Sequence, residues 1–319
     1  MAFTYPATKE GVHYLTEGGF ETELMYLHGF EIPEFAAFML LGDQKAAAAT
    51  RALYARVCDV AAEEGFGILF GWLNYRASAD WGSKLGLSSA GLQEATQRSI
   101  DFLDGLRKEY ATQIPHFLVN DAIGPRGDAY GTGRGITEAE AEDYHSVQLE
   151  ILKDTPVDVV WAATQNNVPE VIGIARAAMA HGHPIAVSWS LNSESRLNSG
   201  PTAEEAVTRV DAAVPGAVAW HAINCSHPFE VEPALTPGAW TDRLRSIRPN
   251  AAAMDKMALC KLGHLEDGDP VELGQQMGEL ASRYPQMDIW GGCCGTDHRH
   301  LREIARNVKA VRAGVLEPA

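Results

Sequence analysis

Eight times along this chain a short apolar run gives way to a glycine-rich or polar loop and then to a longer stretch. The apolar runs fall at 13–16, 66–70, 116–119, 157–161, 184–189, 217–223, 248–253 and 287–290. Most are followed by sequence of helical character. Gln44–Glu64 is alanine-rich and carries Leu53, Val57 and Val60 at helical spacing. Further helices are expected over 90–110, 169–181, 202–214 and 270–284. Another starts at the Thr137…Glu140 capping box and runs to about Leu152. A last one is capped by Thr296 or Asp297, with Leu301, Ile304 and Val308 on one face. Such an alternation builds either a (β/α)8 barrel or a doubly wound open sheet. Chemically suggestive residues follow several strands, early and late. A barrel brings all those strand ends to one mouth, whereas an open sheet gathers its site at one switch point. The barrel is therefore expected, as one domain over residues 1–319; α/β barrels of this length run as a single domain.

The most distinctive of those strand ends is Gly291-Gly292-Cys293-Cys294-Gly295-Thr296. Neighbouring side chains of a regular strand point to opposite faces, so two adjacent sulfurs reach one point only where the backbone leaves strand geometry. Gly291, Gly292 and Gly295 are expected to supply the φ values this needs. A third thiol, Cys225, follows the run 217–223 in Asn224-Cys225-Ser226-His227-Pro228. One cysteine and then, 68 residues on, an adjacent pair is the wrong spacing for a zinc ribbon or finger, whose pairs are two to four residues apart.

These motifs resemble the zinc-dependent homocysteine S-methyltransferase family, which includes the betaine- and S-methylmethionine-dependent enzymes. The resemblance spans nearly the whole chain. It includes Glu17-Gly18-Gly19-Phe20-Glu21-Thr22-Glu23-Leu24, which is similar to the family's Asp-Gly-Gly opening. It implies the same barrel and an open catalytic Zn²⁺ site formed by Cys225, Cys293 and Cys294. In such a site three thiolates hold the metal and the fourth position takes an incoming thiol as thiolate. The thiolate attacks a methyl group on a cationic sulfur or nitrogen, whose leaving group departs neutral. Small-molecule partners are then a thiol acceptor, homocysteine by resemblance, and a small sulfonium or quaternary ammonium donor. The chain is too short to carry added folate and cobalamin modules. Methyl transfer to another thiol or a selenol, and a non-catalytic zinc or thiol-binding protein, are the alternatives.

The resemblance places Glu17 and Gly18 at the acceptor, with glutamate where the family has aspartate. Thr164 and Asn224 join the expected acceptor site. Asn224 either hydrogen-bonds the substrate or orders its strand end. Trp72, Tyr75 and Trp81 offer aromatic faces to a cationic donor. His227 reads as a histidine outside the ligand set, and His298 and His300 as surface residues. Cys58 and Cys260 read as small buried hydrophobes. The family's ammonium-binding glutamate falls at Ala163, with no carboxylate near it in sequence. Weak use of homocysteine, or a thiol without a free α-ammonium, is the expectation. The loop after strand two and the strand-seven region also depart from the family pattern.

Net charge is −16, which argues against nucleic acid and anionic membrane partners. No apolar run approaches ~18 residues, and Met1 to Glu10 has no signal-type apolar core. Five cysteines, an odd number outside any secretory context, suit reduced thiols in the cytosol. A homo-oligomer is compatible with this sequence. The glycine-rich loop with Gly124, Gly127, Gly131, Gly133 and Gly135 lacks the P-loop lysine and reads as a turn at the barrel mouth.

Overall fold

The computed structural model describes residues 8–131 and 135–315, so Gly133 and most of the 1–10 stretch lie outside the described residues. Eight parallel strands close into a barrel in chain order. They are β1 (Tyr14–Leu15), β2 (Gly67–Phe70), β3 (Phe117–Ile123), β4 (Val159–Gln165), β5 (Ile185–Trp189), β6 (Val218–Asn224), β7 (Leu244–Arg248) and β8 (Ile289–Trp290). Closure is made by β1 on β8, with Tyr14 opposite Ile289 and Leu15 opposite Trp290. This is the (β/α)8 barrel expected from the alternation.

Strands of a barrel wrapped by helices are buried on both faces, and they read as continuous apolar runs rather than alternating ones. All seven residues of β4 are buried, and Trp161, Trp189, Trp220 and Trp290 are wholly inside. The helices begin and end on local signals. Asp43 caps Gln44–Glu64 by accepting from Ala46 N at 2.8 Å, and Gly65 closes it at φ 77°. Thr137 with Glu140 and Thr202 with Glu205 form complete capping boxes at Glu138–Ile151 and Ala203–Ala213. Asp297, rather than Thr296, caps His298–Arg312.

One strand is displaced from expectation. β7 ends at Arg248, where the sequence placed its beginning. Its polar residues hide it: Ser246 and Arg248 are buried, and Arg245 pairs with Asp288. Pro249 follows, and without an N–H it cannot extend a ladder. β3 runs on to Ile123, past the expected stop at Val119, because Asn120 and Asp121 are polar yet buried. The loop after β2 is partly helical, with a 3-10 turn at Trp72–Asn74 and a helix at Ala79–Lys84.

Candidate active site

The C-terminal ends of β4, β6, β7 and β8 converge on the three cysteines. Register shifts between Ala162 and Gln165 in β4, which lets the chain re-aim Thr164. Thr164 and Cys225 both have positive φ, 56° and 49°, a region that costs a side-chain-bearing residue energy. Asn224 holds them there. Its Nδ2 donates to Thr164 Oγ1 at 2.8 Å and to Cys225 Sγ at 3.3 Å, and its Oδ1 accepts from Thr164 N at 3.0 Å. Asn224 thus orders the strand ends.

Backbone bonds stitch the two cysteine segments to β7. Cys225 N donates to Arg248 O at 3.0 Å, Cys293 N to Pro249 O at 2.7 Å, and Ala251 N to Cys294 O at 3.0 Å. Of the glycines flanking the cysteine pair, only Gly295 has positive φ, 83°. The role expected of Gly291 and Gly292 differs from the one observed: they serve by lacking a Cβ, which at Gly292 would lie 2.0 Å from Thr296 Oγ1. Gly19 is similarly bound to this segment, since a Cβ there would meet Cys293 O at 2.4 Å.

Sγ atoms of Cys225, Cys293 and Cys294 lie within 4.8 Å of one another. Cys225 and Cys293 are joined as a disulfide, with Cα atoms 5.4 Å apart. Two electrons and two protons would return both as thiols. Three soft sulfur donors gathered at one point match the donor set that zinc takes with one position left open. Burial pushes the Cys294 thiol up to about 12, with the nearby Glu21 adding to the shift.

Beside the cysteines opens a cavity of about 350 Å³, within the range of small-molecule sites. Gly18, Thr164, Trp72 and Tyr75 line it, and Thr164 lies beside the Tyr75 hydroxyl. The aromatic faces are less free than the sequence suggested. Arg248 stacks on Trp72 with Cζ 3.4 Å from the ring centre. Arg76 covers Tyr75 at 5.2 Å, and Arg76 and Lys84 cover Trp81 at 4.3 and 3.9 Å. Trp81 is not among the cavity's lining residues, whereas Tyr26, Phe35 and Tyr130 are.

Glu17 is engaged through one oxygen, while its Oε2 is buried without a partner among the described residues. Its Oε1 accepts from Gly71 N at 2.9 Å, Trp72 N at 2.7 Å and Tyr54 Oη at 3.3 Å, which fixes the start of the loop after β2. The acid of this segment that reaches the cavity is Glu21, four residues on, and Asp128 and Glu266 line the cavity from other loops. Burial, and then the Glu17 charge, push its carboxyl up to about 8. No carboxylate is near Ala163 in sequence, and the fold brings the Glu21 carboxyl to the cavity from a distant part of the chain. Ala163 is wholly buried and does not line the cavity.

Sequence reasoning also missed Arg248, a buried cation on the cavity wall. It had been placed at the head of a strand, where an arginine reads as solvated. Two further expectations are overturned. Cys260 is exposed and lines the cavity rather than packing in the core, because its short helix Lys256–Leu259 lies over the mouth. His300 is buried, held by Asp297 and by Asp267 O at 2.7 Å, while His298 is partly buried. His227 caps Pro228–Val231 through Nδ1, which accepts from Phe229 N at 3.3 Å. Cys58 is buried, as expected.

The chain is similar in structure to the homocysteine methyltransferase MmuM of Escherichia coli in three forms. The metallated form aligns with TM-score 0.68 at 19% identity, over 93% of this chain and 96% of that one. The oxidized form gives 0.70 at 19% identity over the same shares. The apo form gives 0.61 at 20% identity, over 95% and 96%. A search of curated proteins finds no match. The sequence profile described as Homocysteine S-methyltransferase matches residues 73–308, well over half the chain, and with it the chain belongs to the homocysteine S-methyltransferase family.

Proposed function

We propose that this chain is a zinc-dependent thiol S-methyltransferase that moves a methyl group from a small sulfonium or quaternary ammonium donor to a thiol, homocysteine being the acceptor its family indicates. The observation that carries the reading is the meeting of three cysteine sulfurs, within 4.8 Å of one another, at the wall of a cavity of about 350 Å³. Zinc held by Cys225, Cys293 and Cys294 would supply the positive charge that keeps an acceptor sulfur ionised at neutral pH.

The chain's own residues supply placement and exclusion of water. Asn224 fixes Cys225 and Thr164 relative to each other, so the metal-binding sulfur and the cavity wall move as one piece. Trp72, Tyr75 and Tyr130 form an apolar surround in which water does not compete for the methyl group. Tyr26, Phe35 and Tyr130 present aromatic surface to a cationic donor, and among the described residues no protein cation lies over their faces. In the transfer an S–CH₃ bond forms as the donor's cationic S–CH₃ or N–CH₃ bond breaks. The donor leaves neutral, and the acceptor's thiol proton passes to solvent. The sulfurs must be reduced for this, which a cytosolic setting provides.

The test pairs metal analysis with a panel of donors and thiols read by mass spectrometry on reduced protein. Close to one zinc per chain, and methylated homocysteine with at least one cationic donor, is the expected result. Zinc-loaded protein that methylates no thiol with any sulfonium or quaternary ammonium donor would overturn the reading.

A further inference from the structure

Among the ionisable side chains that line the cavity outside the cysteine trio, two are deeply buried and have no side-chain hydrogen-bond partner among the described residues. Arg248, at the end of β7, is 1% exposed. Its Nε donates to Gly292 O at 3.2 Å and its Nη2 to Glu17 O at 3.0 Å. Its Nη1 is buried and has no partner. A buried guanidinium N–H left unpaired is costly, and it is a donor waiting for an acceptor. The other cations on the wall are more fully engaged. Lys256 Nζ pairs with Glu230 at 3.1 Å. Arg76 is only partly buried, donates to Gly127 O and lies against Tyr75 and Trp81.

Glu21 is the second group. It is 6% exposed, in the first turn of Phe20–Tyr26. Among the described residues no other side chain is recorded as hydrogen-bonding to its carboxylate, and no lysine or arginine pairs with it as a salt bridge. Glu21, Arg248 and all three cysteines line the same cavity. Asp128 and Glu266 line the cavity too, but Asp128 is exposed and Glu266 only partly buried, so Arg248 and Glu21 are the buried cation and the buried acid left without a side-chain hydrogen-bond partner beside the sulfur cluster.

We propose that Arg248 and Glu21 select the acceptor by its head group: Arg248 Nη1 takes an α-carboxylate, and the Glu21 carboxyl, ionised as it pairs, takes the α-ammonium of an amino acid thiol. This rests on the thiol-methylation reading and names the residues that set its substrate. The sequence expectation of weak homocysteine use, or of a thiol without a free α-ammonium, is then reversed, because Glu21 supplies the acid that Ala163 does not.

The experiment uses reduced, zinc-loaded protein and measures Kd by calorimetry for three thiols. They are homocysteine, 3-aminopropane-1-thiol, which lacks the carboxylate, and 4-mercaptobutyrate, which lacks the ammonium. Wild type should bind homocysteine roughly tenfold to a hundredfold more tightly than either, as expected for one charge-assisted hydrogen bond at each end. Arg248→Gln should lose that factor for homocysteine and 4-mercaptobutyrate but not for 3-aminopropane-1-thiol. Glu21→Gln should lose it for homocysteine and 3-aminopropane-1-thiol but not for 4-mercaptobutyrate. Equal binding of all three thiols by wild type overturns the proposal, and it needs no variant to fold. So does an equal loss for all three in Arg248→Gln, or a carboxylate preference that vanishes in Arg76→Gln instead. Binding of none of the three overturns the methyl-transfer reading, and this proposal with it.

Discussion

Thr164 and Cys225, at the ends of β4 and β6, sit in the left-handed backbone region and are tied to each other through the Asn224 amide. Neither conformation is held by its own residue's preference, so both depend on that bridge. Asn224→Ala removes three hydrogen bonds at once, one of them to the sulfur of Cys225. We expect a stability loss of about 1–3 kcal/mol and a fall of roughly 10–100-fold in zinc affinity. Competition with a chelator measures the second quantity. Unchanged zinc affinity would show that Cys225 holds its position unaided.

The five cysteines should divide sharply. Cys225→Ala, Cys293→Ala and Cys294→Ala should each lose most of the zinc, since three protein ligands are the minimum for an open site. Cys58→Ala should keep the metal at a packing cost on the order of 1–2 kcal/mol. Cys260→Ser, at an exposed position, should change stability by no more than about 0.5 kcal/mol and keep the metal. Metal analysis after reduction decides each case, and full zinc in all three of the first set would sink the ligand assignment.

The barrel was legible in the sequence because each strand–helix unit announces itself locally. The Gln44–Glu64 helix has its cap, its stripe and its terminal glycine within one stretch of chain. The cysteine trio was legible because thiols at strand ends are rare enough to carry meaning. Arg248 and Glu21 were not, and the reason is physical. A charged residue announces exposure, and only the closed barrel shows that β7 and the helix after β1 carry theirs inward. Glu17 carries a structural task that its motif did not announce: its Oε1 is engaged by the Gly71 and Trp72 amides, and its Oε2 has no partner among the described residues. Cys260 and His300 traded places relative to expectation because loop 251–268 had no pattern from which its path over the mouth could be read.

Ala163 is a poor place to restore an acid. It is wholly buried in β4 and off the cavity wall, so Ala163→Glu would bury an unpaired carboxylate in packed core. The expected result is destabilisation by more than about 3 kcal/mol, with no gain in homocysteine use. Chemical denaturation and kcat/KM for homocysteine check the two parts. An improved kcat/KM would mean that Ala163 reaches the acceptor after all.

Asp121 gives the fold a pH dependence that is separate from the metal site. It lies inside β3, with Asn74 Nδ2 2.6 Å from Oδ1 and with Oδ2 unpartnered. Burial pushes its carboxyl up to about 7 from an ordinary 3.8, against the opposing pull of the Asn74 hydrogen bond and the nearby Gln148 amide. Between those two values the folded protein keeps a proton that the unfolded chain has released. Stability from this group is thus fully present below about pH 4 and is lost as pH rises to about 7. The loss is on the order of a few kcal/mol. Glu21, with its carboxyl at about 8, adds a slope of the same sign, so the measurement must be a difference between variants. Asp121→Asn cannot ionise and should lack this component. Urea unfolding at pH 5 and at pH 7.5 should show the variant gaining on wild type at the higher pH. Parallel pH profiles for the two proteins would mean that Asp121 ionises in the fold as easily as it does in the unfolded chain.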